Sequence, residues 1–272
     1  MIDRSGSMQE EVVFQHVRRS KADAVAAITN QFIQELINHC CREDGIRDYF
    51  DIAVLGYGAD TVQPLLCPDE AFLRPSQLIR MPVRTQVVSR ERRLPSGNTH
   101  LSTTECRYWV EPYAQGSTPL GAALAYTEKL LRAWCRRSPG ADTFPPVVIN
   151  ITDGEASDAD YSLLVENSEK IRATGTSNGS TLLFNIHLAA SRSEDKYDSV
   201  CFPASLTELP PLRYARLMYD MSSTIPEFYN NRLSEAGKVN CCAPFKAMSY
   251  NCSIDSLFSF FMIGSASIGQ IV

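Results

Sequence analysis

One stretch limits the architecture of this chain more than any other. Val147-Val148-Ile149-Asn150-Ile151 is a nearly unbroken apolar run, rich in β-branched residues, and it is followed by Thr152-Asp153-Gly154. A strand with one wet face alternates apolar and polar side chains, so a run like this reads as a strand buried on both faces. Such a strand needs helices above and below it. Leu120, Leu124, Leu130, Leu131 and Trp134 predict a helix from Pro119 to about Arg137, and a second is predicted over roughly Ala159–Thr174. Asp158 and Asp160 at the start of the second favour the positive end of its dipole. The expected fold class is therefore α/β, a doubly wound, Rossmann-like, mostly parallel sheet flanked by helices.

The remaining segments fit around that centre. Val25, Ile28, Phe32, Ile33, Leu36, Ile37 and Cys40 predict a long helix from about Gln9 to Cys41, ended by Asp44-Gly45. Tyr49–Tyr57 reads as a strand, and Thr61–Cys67, after the Gly58-Ala59-Asp60 turn, as an antiparallel edge strand that tolerates Pro64. Residues 68–112 are broken by five prolines, and only Val83–Ser89 looks strand-like, so they read as an insertion that is either a docking element or mere elaboration. Gly175-Thr176-Ser177-Asn178-Gly179 has the Gly-x-Ser-x-Gly spacing of a nucleophile elbow. The strand here follows it instead of preceding it, so it reads as a turn. Ser180–Ala189 is that strand, with His187 as a structural residue, and 190–211 reads as loop. Helices at Leu212–Met221 and Pro226–Ala236, a last strand at Lys246–Tyr250 and a closing helix over Asp255–Met262 complete one domain spanning 1–272.

Composition excludes some functions. The formal charge of −5 and the lack of a basic block beyond Arg90-Glu91-Arg92-Arg93, read as a solvated loop, argue against a nucleic-acid partner. Nine cysteines without a Cys-x-x-Cys pair, two of the pairs being adjacent (Cys40-Cys41 and Cys241-Cys242), read as reduced thiols and not as zinc ligands. A polar opening and an apolar tract near Leu257–Ile268 that is too short and too Ser/Gly-rich to span a bilayer predict a cytoplasmic protein with no membrane partner.

The chemistry-bearing residues lie at three places. Asp3-Arg4-Ser5-Gly6-Ser7 sets a carboxylate and two hydroxyls at alternate positions, around a glycine that permits a sharp turn. Thr118 precedes a proline at a helix start, and Asp153 ends the central strand. Taken singly, Asp3, Ser5 and Thr118 read as helix caps and Asp153-Gly154 as a strand-ending turn. Taken together, oxygen-only donors suit a hard cation such as Mg²⁺ before zinc or copper.

In this order and spacing, Asp3, Ser5, Ser7, Thr118 and Asp153 resemble the metal-ion-dependent adhesion site of the von Willebrand factor A domain family. The closest likeness is to compact bacterial proteins of the tellurite-resistance type. The resemblance implies that these five residues hold Mg²⁺, or Mn²⁺, and that the chain is a non-enzymatic protein-interaction module. Its partner would offer an Asp or Glu to the metal, in a bacterial signalling or stress-response complex, with a phosphatase or kinase encoded nearby as a candidate. Two carboxylates about 4 Å apart at an effective dielectric of about 20 would repel by roughly 4 kcal/mol, which a cation relieves.

Two other functions compete. One is a Mg²⁺-dependent phosphohydrolase with Asp3 as nucleophile, although Ser5 stands where haloacid-dehalogenase-like enzymes carry a second aspartate, and no phosphate-binding lysine is evident beside either loop. The other is a chelatase-type subunit working with an ATPase. In the family an apolar run precedes the first aspartate, whereas here only Met1 and Ile2 do. The first strand is therefore expected to be truncated, leaving a gap between its neighbours, and in-frame apolar codons upstream of Met1 are the expected explanation.

Overall fold

A computed structural model describes residues 1–93, 99–137, 143–188, 198–227 and 244–253. The predicted helix at Asp255–Met262 lies outside these residues, and that at Pro226–Ala236 almost wholly so. In chain order come β1 (Ile2–Asp3), a 3₁₀ turn (Gly6–Gln9), the hairpin β2 (Glu11–Phe14) and β3 (Val17–Ser20), and α1 (Lys21–Cys40). The two-residue hairpin β4 (Cys41–Arg42) and β5 (Gly45–Ile46) leads to β6 (Leu55–Gly58) and β7 (Thr61–Pro64). Next are α2 (Pro75–Leu78), the long hairpin β8 (Arg84–Arg93) and β9 (Thr99–Tyr108), and α3 (Leu120–Arg137). Then follow β10 (Val147–Thr152), α4 (Tyr161–Ala173), the small hairpin β11 (Gly175–Thr176) and β12 (Gly179–Ser180), and β13 (Leu182–Leu188). The chain continues through β14 (Val200–Cys201), α5 (Arg213–Met221) and β15 (Met248–Cys252).

Seven strands form the main sheet in the order β14-β15-β13-β10-β1-β6-β7, parallel throughout except at the two edge pairings. The architecture is mixed α/β, a mostly parallel central sheet flanked by helices. Side chains alternate between the two faces. Leu182, Phe184, Ile186 and Leu188 of β13 pack with Val25, Ile28, Ile33 and Ile37 of α1, while Leu183 joins Leu124 of α3, Leu164 of α4 and Met218 of α5 on the other side. Among the described residues, no helix is long and apolar enough to cross a membrane.

Four local expectations need correction. The helix does not begin at Gln9. Val12, Val13, Phe14 and Val17 pair as a hairpin whose turn residues, Gln15 and His16, both have positive φ (50° and 64°), the backbone of a two-residue hairpin turn. The helix starts only at Lys21, where the Ser20 hydroxyl accepts the Asp23 N–H at 3.0 Å and the Asp23 carboxylate accepts from Ser20 in return. The strand expected over Tyr49–Tyr57 is paired in the main sheet only from Leu55, because β1, its inner partner, is two residues long and reaches only Gly56 and Tyr57. The insertion holds two ten-residue strands instead of one, and Arg90–Arg93 belongs to β8 instead of a loop. The base of this hairpin is clamped by buried Asn30, whose Oδ1 accepts from the Trp109 and Val110 amides at 2.7 and 2.9 Å. Finally, Asp158 does not start α4. Its carboxylate accepts the Gly121 and Ala122 amides at 2.9 and 2.8 Å and so caps α3, and Asp160 alone caps α4.

The edge strand with Pro64, the turn at Gly175–Gly179 and the placement of His187 on β13 stand as expected. His187 stacks on Tyr250 and accepts a hydrogen bond from the Asn251 amide at 3.3 Å.

Candidate functional site

Because β10, β1 and β6 run parallel, their carboxyl ends open on one rim of the sheet. Asp3 is the last residue of β1, Ser5 and Ser7 lie at the 3₁₀ turn that follows, and Asp153 directly follows β10. Asp3 is fully buried and heavily held: the Ser5 amide donates to Oδ1 at 2.8 Å and the Thr152 hydroxyl to Oδ2 at 2.7 Å. The Ser5 and Ser7 hydroxyls are 3.0 Å apart, and Ser7 donates to Asp153 Oδ1 at 2.6 Å. Asp3, Ser5, Ser7 and Asp153 thus form one continuous hydrogen-bonded cluster, although 146 positions separate Ser7 from Asp153 in the chain.

Thr118 arrives on a third segment. The Gly6 amide donates to the Gly116 carbonyl at 2.9 Å, Gln115 N–H donates to Arg4 O at 2.8 Å, and Thr118 and Ser157 exchange two bonds of 3.0 Å. Thr118 is buried beside the serine turn, but among the described residues no hydrogen bond joins its hydroxyl to the other four. Gly116 makes this approach possible. Its φ is +70°, and a Cβ there would stand 2.6 Å from the Ala59 Cα. Gly116→Ala is expected to destabilise the fold by about 2 kcal/mol or more, since the left-handed backbone alone costs roughly 1–2 kcal/mol and the clash adds to it. Urea unfolding of the variant beside wild type checks this.

Sequence reasoning missed two members of the site. Lys21, the first residue of α1, is almost wholly buried, and its Nζ stands 3.0 Å from Asp153 Oδ2 and 2.6 Å from the Glu10 carboxylate. No phosphate-binding lysine is evident in the sequence beside either loop; Lys21 stands beside Asp153, with its ammonium held by two carboxylates. The β2–β3 hairpin leaves the rim after Glu10 and returns at Ser20, and the Lys21 amide donates to the Glu10 carbonyl at 2.9 Å. The signal was available as Ser20-x-x-Asp23, a capping box that fixes Lys21 as the first helical residue.

Asp153 and Glu10 both hold the Lys21 ammonium, and the Asp3 carboxylate lies on the same rim. Burial lifts the Asp3 carboxyl above the usual carboxylate range; hydrogen bonds from Ser5 and Thr152 pull it back, and the nearby Asp153 charge pushes it up again. Beneath the rim a buried polar chain, Tyr57 to Asn150 to Asn185 to Ser222, links β6, β10 and β13 at 2.8, 3.1 and 3.0 Å and holds the strand ends in register.

The donor set is all oxygen, and its charge would match a divalent cation. Among the described residues no group of three or more His, Cys, Asp or Glu side chains is arranged to hold a metal ion. No family model matches the chain, and no curated protein matches it.

Proposed function

We propose that the chain is a von Willebrand factor A-type module that holds Mg²⁺, or Mn²⁺, at Asp3, Ser5, Ser7, Thr118 and Asp153 and binds a carboxylate of a partner protein there. The observation that carries this reading is the convergence of three distant segments on one rim, where two carboxylates and two hydroxyls form one hydrogen-bonded oxygen cluster. The parallel inner sheet with α1 on one face and α3, α4 and α5 on the other supports a doubly wound fold of that kind. A divalent cation would supply a Lewis-acidic position for an outside oxygen. Asp3 and Asp153 would balance its charge, and the Ser5 and Ser7 hydroxyls, which hydrogen-bond each other with Ser7 also donating to Asp153, would add neutral oxygens. The role is one of assembly, in a signalling or stress-response complex of the bacterial tellurite-resistance kind, and it needs no catalytic step.

Lys21 gives a second reading some support, since a lysine near a carboxylate nucleophile is what phosphate-ester chemistry needs. Its ammonium, however, is already held by Asp153 and Glu10. Mn²⁺ binding followed by electron paramagnetic resonance, beside hydrolysis of an aryl phosphate, separates the two. Thr118→Ala is expected to weaken Mn²⁺ binding about tenfold, equivalent to about 1.4 kcal/mol, with no hydrolysis by either protein. Equal Mn²⁺ affinity in wild type and Thr118→Ala would remove Thr118 from the site, and metal-dependent turnover lost in Asp3→Asn would establish the enzyme.

A further inference from the structure

Two cationic side chains meet at the end of the sheet opposite the candidate rim. α5 closes at Ser222, and Ser223 ties it to the start of β13, donating to the Leu183 carbonyl at 3.0 Å and accepting the Leu183 amide at 2.9 Å. Lys246 lies two residues ahead of β15, which runs parallel to β13. Arg172 comes from the last turn of α4. Both reach the same atom, the Ser222 carbonyl oxygen: Lys246 Nζ donates to it at 3.0 Å and Arg172 Nη1 at 3.4 Å. Both residues are half-buried, within reach of solvent.

One cation at the carboxyl end of a helix is ordinary, because the last carbonyls carry partial negative charge. A second on the same oxygen brings two full like charges together around one partial charge. Among the described residues neither Arg172 nor Lys246 forms an ion pair. Asp220 is the acid whose charge reaches Lys246, but it accepts from the Tyr161 hydroxyl and lies 3.9 Å from Arg216 Nε. Arg172 Nε is closed off from solvent and has no acceptor, and a buried donor without a partner is destabilising. Burial pushes the Lys246 ammonium below its usual range, and the Arg172 charge pushes it further the same way.

We propose that Arg172 and Lys246 form a binding site for a doubly charged oxyanion of the phosphate type, separate from the rim at Asp3. Charge selects a dianion, which neutralises both cations where a single carboxylate leaves one. Donor chemistry selects oxygen, since a guanidinium presents a fixed fork of N–H groups to an oxyanion and an ammonium acts beside it as a point charge. Free phosphate and a phosphate monoester carry this same group. The site needs no divalent cation and does not rest on the reading of the rim.

The test titrates inorganic phosphate and phenyl phosphate into the full chain without divalent cations, against sodium chloride at equal ionic strength. Phosphate at tenfold its dissociation constant is expected to raise Tm by about 3–5 °C. Lys246→Gln and Arg172→Gln each keep a donor for the Ser222 carbonyl, and each should weaken phosphate binding about tenfold or more by calorimetric titration. Lys246→Arg keeps the charge and should retain most of the affinity. The two Gln variants are read separately, so failure of one to fold leaves the other decisive. Stabilisation by phosphate in wild type, lost in a folded Gln variant and kept in Lys246→Arg, establishes the site. Tighter phenyl phosphate then assigns it to a phosphate ester, and tighter inorganic phosphate to the free ion. The proposal is overturned if phosphate shifts Tm no more than chloride does, which leaves the two cations as the cap of α5. It is also overturned if the shift survives in the Gln variants, which places the anion elsewhere.

Discussion

Adding Mg²⁺ to the metal-free protein at a hundredfold its dissociation constant is expected to stabilise the fold by about 2.7 kcal/mol. For a domain of this size that is roughly 5–10 °C in Tm. The gain comes from the folded state alone, because the donors sit on segments that only the fold brings together. Ser7 and Asp153 meet through a 2.6 Å hydrogen bond, and the Gly6 amide holds the Gly116 loop at 2.9 Å. Asp3→Asn removes one of the charges that draw the cation while keeping an oxygen that can accept the Ser5 amide. Its metal-free melting curve should stay near wild type, and its Mg²⁺ increment should largely vanish. Differential scanning calorimetry with and without chelator reads both. Identical curves for the wild type, in protein shown to be folded, would count against a cation at this rim.

Much of this rim could be read from the sequence because strands in a parallel sheet point their carboxyl ends the same way. Once Val147–Ile151 is recognised as a central strand, the residues after it and after Ile2 must lie on one edge. What could not be read is how the intervening chain returns. Gln9 to Ser20 has few helix breakers, so the apolar stripe of α1 extends backward on paper. The hairpin is favoured instead by β-branched residues, a turn that places Gln15 and His16 at positive φ, and a cap at Ser20. That error hid Lys21, since a helix beginning at Gln9 places it mid-helix and far from Asp153. Thr99–Tyr108 was missed for another reason. A largely polar strand carries little alternation to read, and its existence rests on pairing with β8 and on the Asn30–Trp109 clamp at the hairpin base. Asp158 shows a third kind of limit, where a carboxylate that looks like the cap of the next helix serves the previous one through space.

Lys21 also changes what removing its partners should do. Read from the sequence, Asp153 belongs to a strand-ending turn. In the structure, Asp153→Ala would leave the buried ammonium with Glu10 alone, so Asp153→Asn is the cleaner probe of binding.

Replacing the lysine gives the more telling experiment. Lys21→Met keeps much of the aliphatic stem and deletes the charge that faces Asp153 and Glu10. Breaking a buried ion pair from one side costs about 3–5 kcal/mol, so the variant should be destabilised by that order in chelator. Lys21→Arg, which keeps the charge, should lose less. A divalent cation and the Lys21 ammonium are competitors for the same carboxylate, since Nζ lies 3.0 Å from Asp153 Oδ2. The Met variant should therefore gain more from Mg²⁺ than wild type does, by about 1–2 kcal/mol or about tenfold or more in affinity. Urea unfolding at fixed pH, in chelator and in saturating Mg²⁺, measures all four stabilities. If Lys21→Met loses stability equally in both conditions, lysine and metal are independent, and the Lys21–Asp153 ion pair is a structural tie that leaves the cation site untouched. If the loss shrinks in Mg²⁺ as expected, Lys21 is the group that holds the rim together until the cation displaces it from Asp153.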